Sequence, residues 1–115
     1  MERVGCFCLK NQGGFVTKLQ FVYWDEKGNS HHVDGSGAIN LGGHNCRKPS
    51  ESGVPEGSQV SLYAFVVWGE DNTATQRFIF DPSSQDTAKY TVSGTTHDNE
   101  LGLNSVGPPN ACSSP

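Results

Sequence analysis

Residues 15–24, FVTKLQFVYW, alternate strictly between two faces. Phe15, Thr17, Leu19, Phe21 and Tyr23 fall on one side; Val16, Lys18, Gln20, Val22 and Trp24 fall on the other. A period of two predicts a β-strand with one buried face. Residues 58–69, SQVSLYAFVVWG, predict a second strand that sets Val60, Leu62, Ala64, Val66 and Trp68 against Tyr63, Phe65 and Val67. Both of its faces are apolar, so it belongs in the middle of a sheet. Weaker alternation predicts strands at 5–10, 30–41, 75–81 and 89–96, with Gly35 and Gly37 marking a bulge in the third of the six. NQGG, DEKGN, EDNTA and PSSQDTA supply the reversals between them, and 42–57 reads as a Gly/Pro loop. Strands recur about every 15 residues with no helical period and no internal repeat. The pattern predicts an all-β protein, a single-domain antiparallel β-sandwich over residues 1–107 with a C-terminal tail at 108–115.

A chain of 115 residues has room for one core. Its composition, with 34% hydrophobic and 17% charged residues, 14 Gly and 6 Pro, suits a turn-rich β domain and not a helical one. The net charge is −4, and the eight Lys and Arg are scattered except for the adjacent Arg47 and Lys48. That distribution excludes the concentrated basic surface a nucleic-acid partner requires. No apolar run is long enough to span a bilayer as a helix. The start, MERVGCFCLK, has no apolar signal-peptide core, as a mature secreted protein also would not.

Four cysteines, Cys6, Cys8, Cys46 and Cys112, tie both ends of the chain to its middle. In a strand Cys6 and Cys8 share a face, with Cα atoms near the outer limit for bonding each other. They are therefore expected to pair outward, with Cys46 and Cys112 in either order. A disulfide at Cys112 would moor VGPPNACSSP, a tail too poor in apolar residues to pack by itself. Disulfides imply an oxidising, secreted or extracellular location.

Four blocks, NQGGFVTKLQFVY, GSGAINLGG, VPEGSQVSLYAFVVWG and YTVSGTTHDNEL, occur in the order found in small UPD-type domains, which the chain resembles over about residues 10–101. Those are secreted-type proteins of nematodes and bacteria, with a distant similarity to actinoporin-like and aegerolysin-like cytolysins. The resemblance implies a β-sandwich without catalytic residues, acting at lipid or membrane surfaces. Cys6, Cys8 and Cys112 lie outside the matching core blocks and depart from that pattern.

No enzymatic constellation emerges from the residues. His31 and His32 point to opposite faces of a strand, so at most one can join Asp34 around a metal, and no metal or other cofactor is expected. His44 and Cys46 are close in sequence, but a nucleophile and its base normally meet across the fold. The carboxylates sit in turns, where water is their default neighbour. GSGAINLGG precedes no helix and so fails as a phosphate loop. The chain is expected to be a binding protein and not an enzyme. Tyr23 and Trp24, as neighbours, put one aromatic off the core, and Tyr63 adds another on the central strand. Trp24, beside polar Lys18 and Gln20, is the aromatic expected to be most exposed. These rings suit a lipid surface, or a sugar bound with help from Asn29, Asp34 and Asn72. A protein partner, including a second copy in a homodimer, is the remaining alternative.

Overall fold

The computed structural model describes residues 1–113, and the last two residues of the expected tail lie outside them. Two sheets enclose the core. The larger runs β1 (Arg3–Val4), β9 (Phe78–Phe80), β7 (Gln59–Val66), β3 (Thr17–Trp24) and β4 (Ser30–Val33). Short β5 (Ala38–Ile39) also pairs with β3, and β8 (Asn72–Thr73) with β7. The smaller sheet runs β11 (Asn99–Gly107), β10 (Thr87–Gly94), β2 (Cys6–Gly13) and β6 (His44–Arg47).

The alternation of β3 and β7 decides their placement. Leu19 and Phe21 on β3, and Val60, Leu62, Ala64 and Val66 on β7, are buried. They meet Phe7 and Leu9 of β2 and Ala88, Tyr90 and Val92 of β10 in one cluster. Phe7 is its centre, edge-on to Phe21 at 5.4 Å and stacked with Tyr90 at 6.2 Å. Aromatic contacts of this kind add about 0.5–1.5 kcal/mol each beyond burial.

The sandwich is all-β as expected, but each sheet is mixed. β1 pairs with β9 in parallel, and β2 with β10 in parallel over eight residues. NQGG is correspondingly not a hairpin turn. β2 and β3 lie in different sheets, so the chain crosses the core between them. The expected strand at 30–41 is broken where Gly35 presses on the backbone of Leu19, and Ser36 bonds Leu19 on both sides: Ser36 N–H to Leu19 O at 2.8 Å and Leu19 N–H to Ser36 Oγ at 3.0 Å. Within 42–57, read as a loop, lie strand β6 and a single 3-10 turn at Pro49–Ser52. β11 was not anticipated by the alternation at all, and forms one edge of the smaller sheet.

The cysteines pair outward: Cys6 with Cys112 and Cys8 with Cys46, leaving none free. Both bonds lie on the outer face of the smaller sheet, since Phe7, Leu9 and Asn11 take the inner one. The tail is moored as well by Thr87, whose hydroxyl donates to Pro109 O at 3.0 Å and accepts from the Ala111 N–H at 2.9 Å.

Candidate functional site

The side chains singled out from sequence do not converge. Tyr23 and Trp24 end β3 beside the Asp25–Gly28 turn, whose hairpin register matches the DEKGN expectation. Tyr23 stacks on His31 at 4.9 Å, and His31 Nε2 meets Asp25 Oδ2 at 2.8 Å. That contact, first of all, holds the Asp25 carboxyl below its ordinary range. The Asn29 N–H donates to Asp25 Oδ1 at 2.9 Å, which makes Asn29 part of the turn's own bonding. Trp24 is half-buried and not the most exposed aromatic, because the Arg77 guanidinium covers its ring at 3.6 Å. Tyr23, Trp24, Asp25 and Arg77 wall an open groove of about 650 Å³ completed by Glu56, Gln59 and Ile79.

Tyr63 sits midway along the outer face of the larger sheet. His32 lies over its ring at 4.0 Å and also meets Gln20 Oε1 at 2.7 Å, while Gln20 reaches Asp34 at 3.4 Å. The Tyr63 hydroxyl donates to Asp71 Oδ2. Burial, with help from that carboxylate, pushes the phenol up to about 12. Asn72 bonds the Asn99 side chain across to β11. His31 and His32 are thus divided between two faces, and Cys46 is a disulfide sulfur and no nucleophile.

A different group does converge. In register, Thr17 at the start of β3 is level with Val66 at the end of β7 and Ile39 at the end of β5. Gly13 at the end of β2 is level with Gly94 at the end of β10. Four connections therefore emerge at one end of the sandwich: Gly14–Val16, Asn40–Gly43, Val67–Asp71 and Thr95–Asp98. Backbone bonds weld them together: Val67 N–H to Val16 O at 3.0 Å, Glu70 N–H to Thr96 O at 2.8 Å, Gly14 N–H to Gly94 O at 2.9 Å and Gly42 N–H to Asn11 O at 2.7 Å.

Asn11 is the hub of this end. It is fully buried, donates to Phe15 O at 2.6 Å and Ile39 O at 2.9 Å, and accepts from the Gly13 N–H at 2.9 Å. Asp71 braces the Trp68 loop in the same way, accepting from the Val66 N–H at 2.8 Å through one oxygen and from Tyr63 through the other. Gly69 has to be glycine, because a Cβ there would strike Thr96 O.

At the crest of this braced loop stands Trp68, 92% exposed and with φ at +60°. The alternation of β7 set it on one face with Val60, Leu62, Ala64 and Val66. Instead the strand ends at Val66, and the turn lifts the ring into water. Among the described residues it is the one non-glycine with positive φ, a conformation that disfavours bulky side chains. Leu41, on the neighbouring loop, is 67% exposed. Nothing in the alternation marked either residue. The signal that could have found them is local: Trp68-Gly69 and Leu41-Gly42 each set an apolar side chain beside a turn glycine.

No family model matches the chain, and no curated protein is similar to it. Among solved structures it is similar to listeriolysin O (15% identity, TM-score 0.48), covering 87% of this chain and 22% of that one. It is also similar to a disulfide-locked intermedilysin mutant solved with human CD59 (14%, 0.45), covering 87% and 24%. Against the isolated membrane-binding domain of pneumolysin the values are 10% and 0.43, with 88% of this chain and 96% of that one covered. The chain spans less than a quarter of the two larger toxins, and all three TM-scores lie under 0.5.

Proposed function

We propose that the protein binds membrane surfaces through the loop tip, with Trp68 and Leu41 entering the interface between headgroups and acyl chains. The observation that carries this reading is Trp68: a large aromatic in a left-handed turn, held out into solvent by a braced loop. Such a conformation costs on the order of 1–3 kcal/mol and returns no packing inside the fold. The indole suits an interface because its body is apolar and its N–H remains free to bond. The resemblance to UPD-type, cytolysin-related domains fits the same reading, and the two disulfides fit a secreted protein. No enzymatic role is proposed.

The magnitude is modest. Removing about half of a Trp surface of about 200 Å² from water yields about 2.5 kcal/mol, roughly a sixtyfold change in partitioning. Liposome co-sedimentation of the intact protein tests it. Trp68→Ala should weaken binding by about that factor, and Leu41→Ala by about fivefold, with the melting temperature held. Equal binding by both variants and the parent would refute the tip as the contact.

A glycan is the second reading, favoured by the Tyr23–Trp24 groove with Gln59 and Glu56 at its wall. It ranks second because Arg77 already occupies the Trp24 ring face that a sugar would stack on. A saturable response to a glycan array, lost in Trp24→Ala and kept in Trp68→Ala, would reverse the ranking.

A further inference from the structure

On the outer face of the smaller sheet, just below the Asn40–Gly43 loop of the tip and apart from the Tyr23–Trp24 groove, lies a hollow of about 300 Å³. Its floor is the Cys8–Cys46 disulfide, and its rim carries Lys10 of β2, His44 of β6, Lys89 of β10 and Asn104 of β11. Among the described residues no carboxylate lines it.

The register explains how one residue from each of four strands comes together. Cys8 pairs with both Cys46 and Lys89, while Lys10 pairs with both His44 and Thr91. Lys10 and Lys89 are thus diagonal neighbours on adjacent parallel strands, about 8 Å apart at their stems by strand spacing and rise, within reach of one small ion for two flexible side chains. Asn104 is brought in by an irregularity. The β10–β11 register shifts between Lys89 and Tyr90, which leaves Asn104 as the extra residue, and its Nδ2 donates to Thr91 Oγ1 at 2.5 Å on the outer side. Bulges commonly re-aim a side chain toward a site.

The charge arrangement runs against the rest of the molecule. Acidic residues outnumber basic ones by twelve to eight. Yet two lysines stand side by side here, and among the described residues neither forms a salt bridge. Among the described residues the nearest carboxylate on this face by register is Glu100, opposite Ser93, one strand beyond and further toward the tip. Two like charges this near each other disfavour one another's charged form, and an anion between them favours both.

We propose that this hollow binds an oxyanion, a phosphate ester or free phosphate, with Lys10 and Lys89 as charge-assisted donors and His44 and Asn104 completing the ring. The site is independent of the tip reading and stands or falls separately. Planar bidentate recognition is absent, since no Arg lines the hollow, so the geometry favours a compact tetrahedral anion held by point charges.

The test follows the His44 imidazole resonances of the intact protein by NMR at constant pH and ionic strength while inorganic phosphate replaces chloride. A saturable shift is expected. Lys10→Gln and Lys89→Gln should each weaken it at least about fivefold without lowering the melting temperature, because both side chains are exposed. A parallel arm compares vesicles of anionic and zwitterionic phospholipid, with Trp68→Ala as the control for tip binding. Loss of the anionic preference in the lysine variants would identify a lipid headgroup phosphate as the source. An unchanged vesicle preference, with lost phosphate binding, would identify a free phosphate ester. No saturable shift with phosphate, or a shift untouched by either lysine variant, would overturn the proposal.

Discussion

The two disulfides differ in how much of the unfolded chain they restrain, and this separates their contributions to stability. Cys6–Cys112 closes 106 residues and Cys8–Cys46 closes 38. Loop-closure entropy for those lengths corresponds to about 4.8 and about 3.9 kcal/mol at 25 °C. A chain of this size gains about 0.24 kcal/mol/K of unfolding entropy, so each kcal/mol moves the melting temperature by about 4 °C. Cys6→Ala/Cys112→Ala should then melt about 19 °C lower, and Cys8→Ala/Cys46→Ala about 16 °C lower. Alanine is the right replacement because Cys6 and Cys8 are buried, and a serine hydroxyl there would add a desolvation penalty of its own. Urea titration monitored by far-UV circular dichroism provides the free energies directly. The opposite order, with the Cys8–Cys46 pair the costlier loss, would refute loop length as the deciding quantity. It would indicate instead that the β2–β6 pairing depends on its cross-link while the tail is held by Thr87 without one.

Three further outcomes follow from particular groups. Asn11→Ala strips partners from three backbone groups at the tip and should cost about 3 kcal/mol by urea titration, weakening vesicle binding as well. The Tyr90 hydroxyl is buried with no protein partner, so Tyr90→Phe should raise stability by about 1 kcal/mol; a loss of that size would show the hydroxyl to be bonded. Burial raises the Tyr90 phenol, and burial with the Asp71 contact raises Tyr63 to about 12. Both folded values lie above that of the unfolded chain, so their contribution is complete below about pH 10 and is lost as pH rises through the folded values. Melting temperatures across the alkaline range should fall more steeply for the parent than for Tyr90→Phe, and parallel curves would contradict this.

Much of the fold was legible because β3 and β7 carry strict alternation, and a period of two has one structural meaning when one face is apolar. Leu19, Phe21, Val60, Leu62, Ala64 and Val66 are all buried as that pattern requires. The outward pairing of Cys6 and Cys8 was legible for a geometric reason, the spacing of alternate residues on a strand. What alternation does not contain is which strands are neighbours. NQGG has turn chemistry, yet it serves a crossing between sheets, because the parallel β2–β10 pair is decided by contacts 81 residues apart in the chain. β11 escaped notice because its bulge breaks the period just where Leu101, Leu103 and Val106 would have shown it.

The site was less legible than the fold, for a related reason. Continuing the alternation of β7 by two residues set Trp68 beside Val66 on one face, but its φ of +60° takes it out of the strand altogether. Trp24 was placed in water by its polar face-mates, and a cation from a distant segment, Arg77, covers it instead. Tyr63 and Asp34 answer to each other's neighbourhood through His32 and Gln20, so the outer face is a bonded surface of its own. An aromatic off the core is therefore answered in two ways: with a covering side chain along the sheet, and with open solvent at the tip.

The most direct test of the membrane-tip account uses Trp24→Phe, which leaves Trp68 as the only tryptophan, and follows its fluorescence as brominated phospholipid vesicles are added. The account predicts a blue shift with quenching by shallow bromines, as the ring moves from water into the interface. Binding of the protein to the same vesicles with an unshifted, unquenched Trp68 would contradict it.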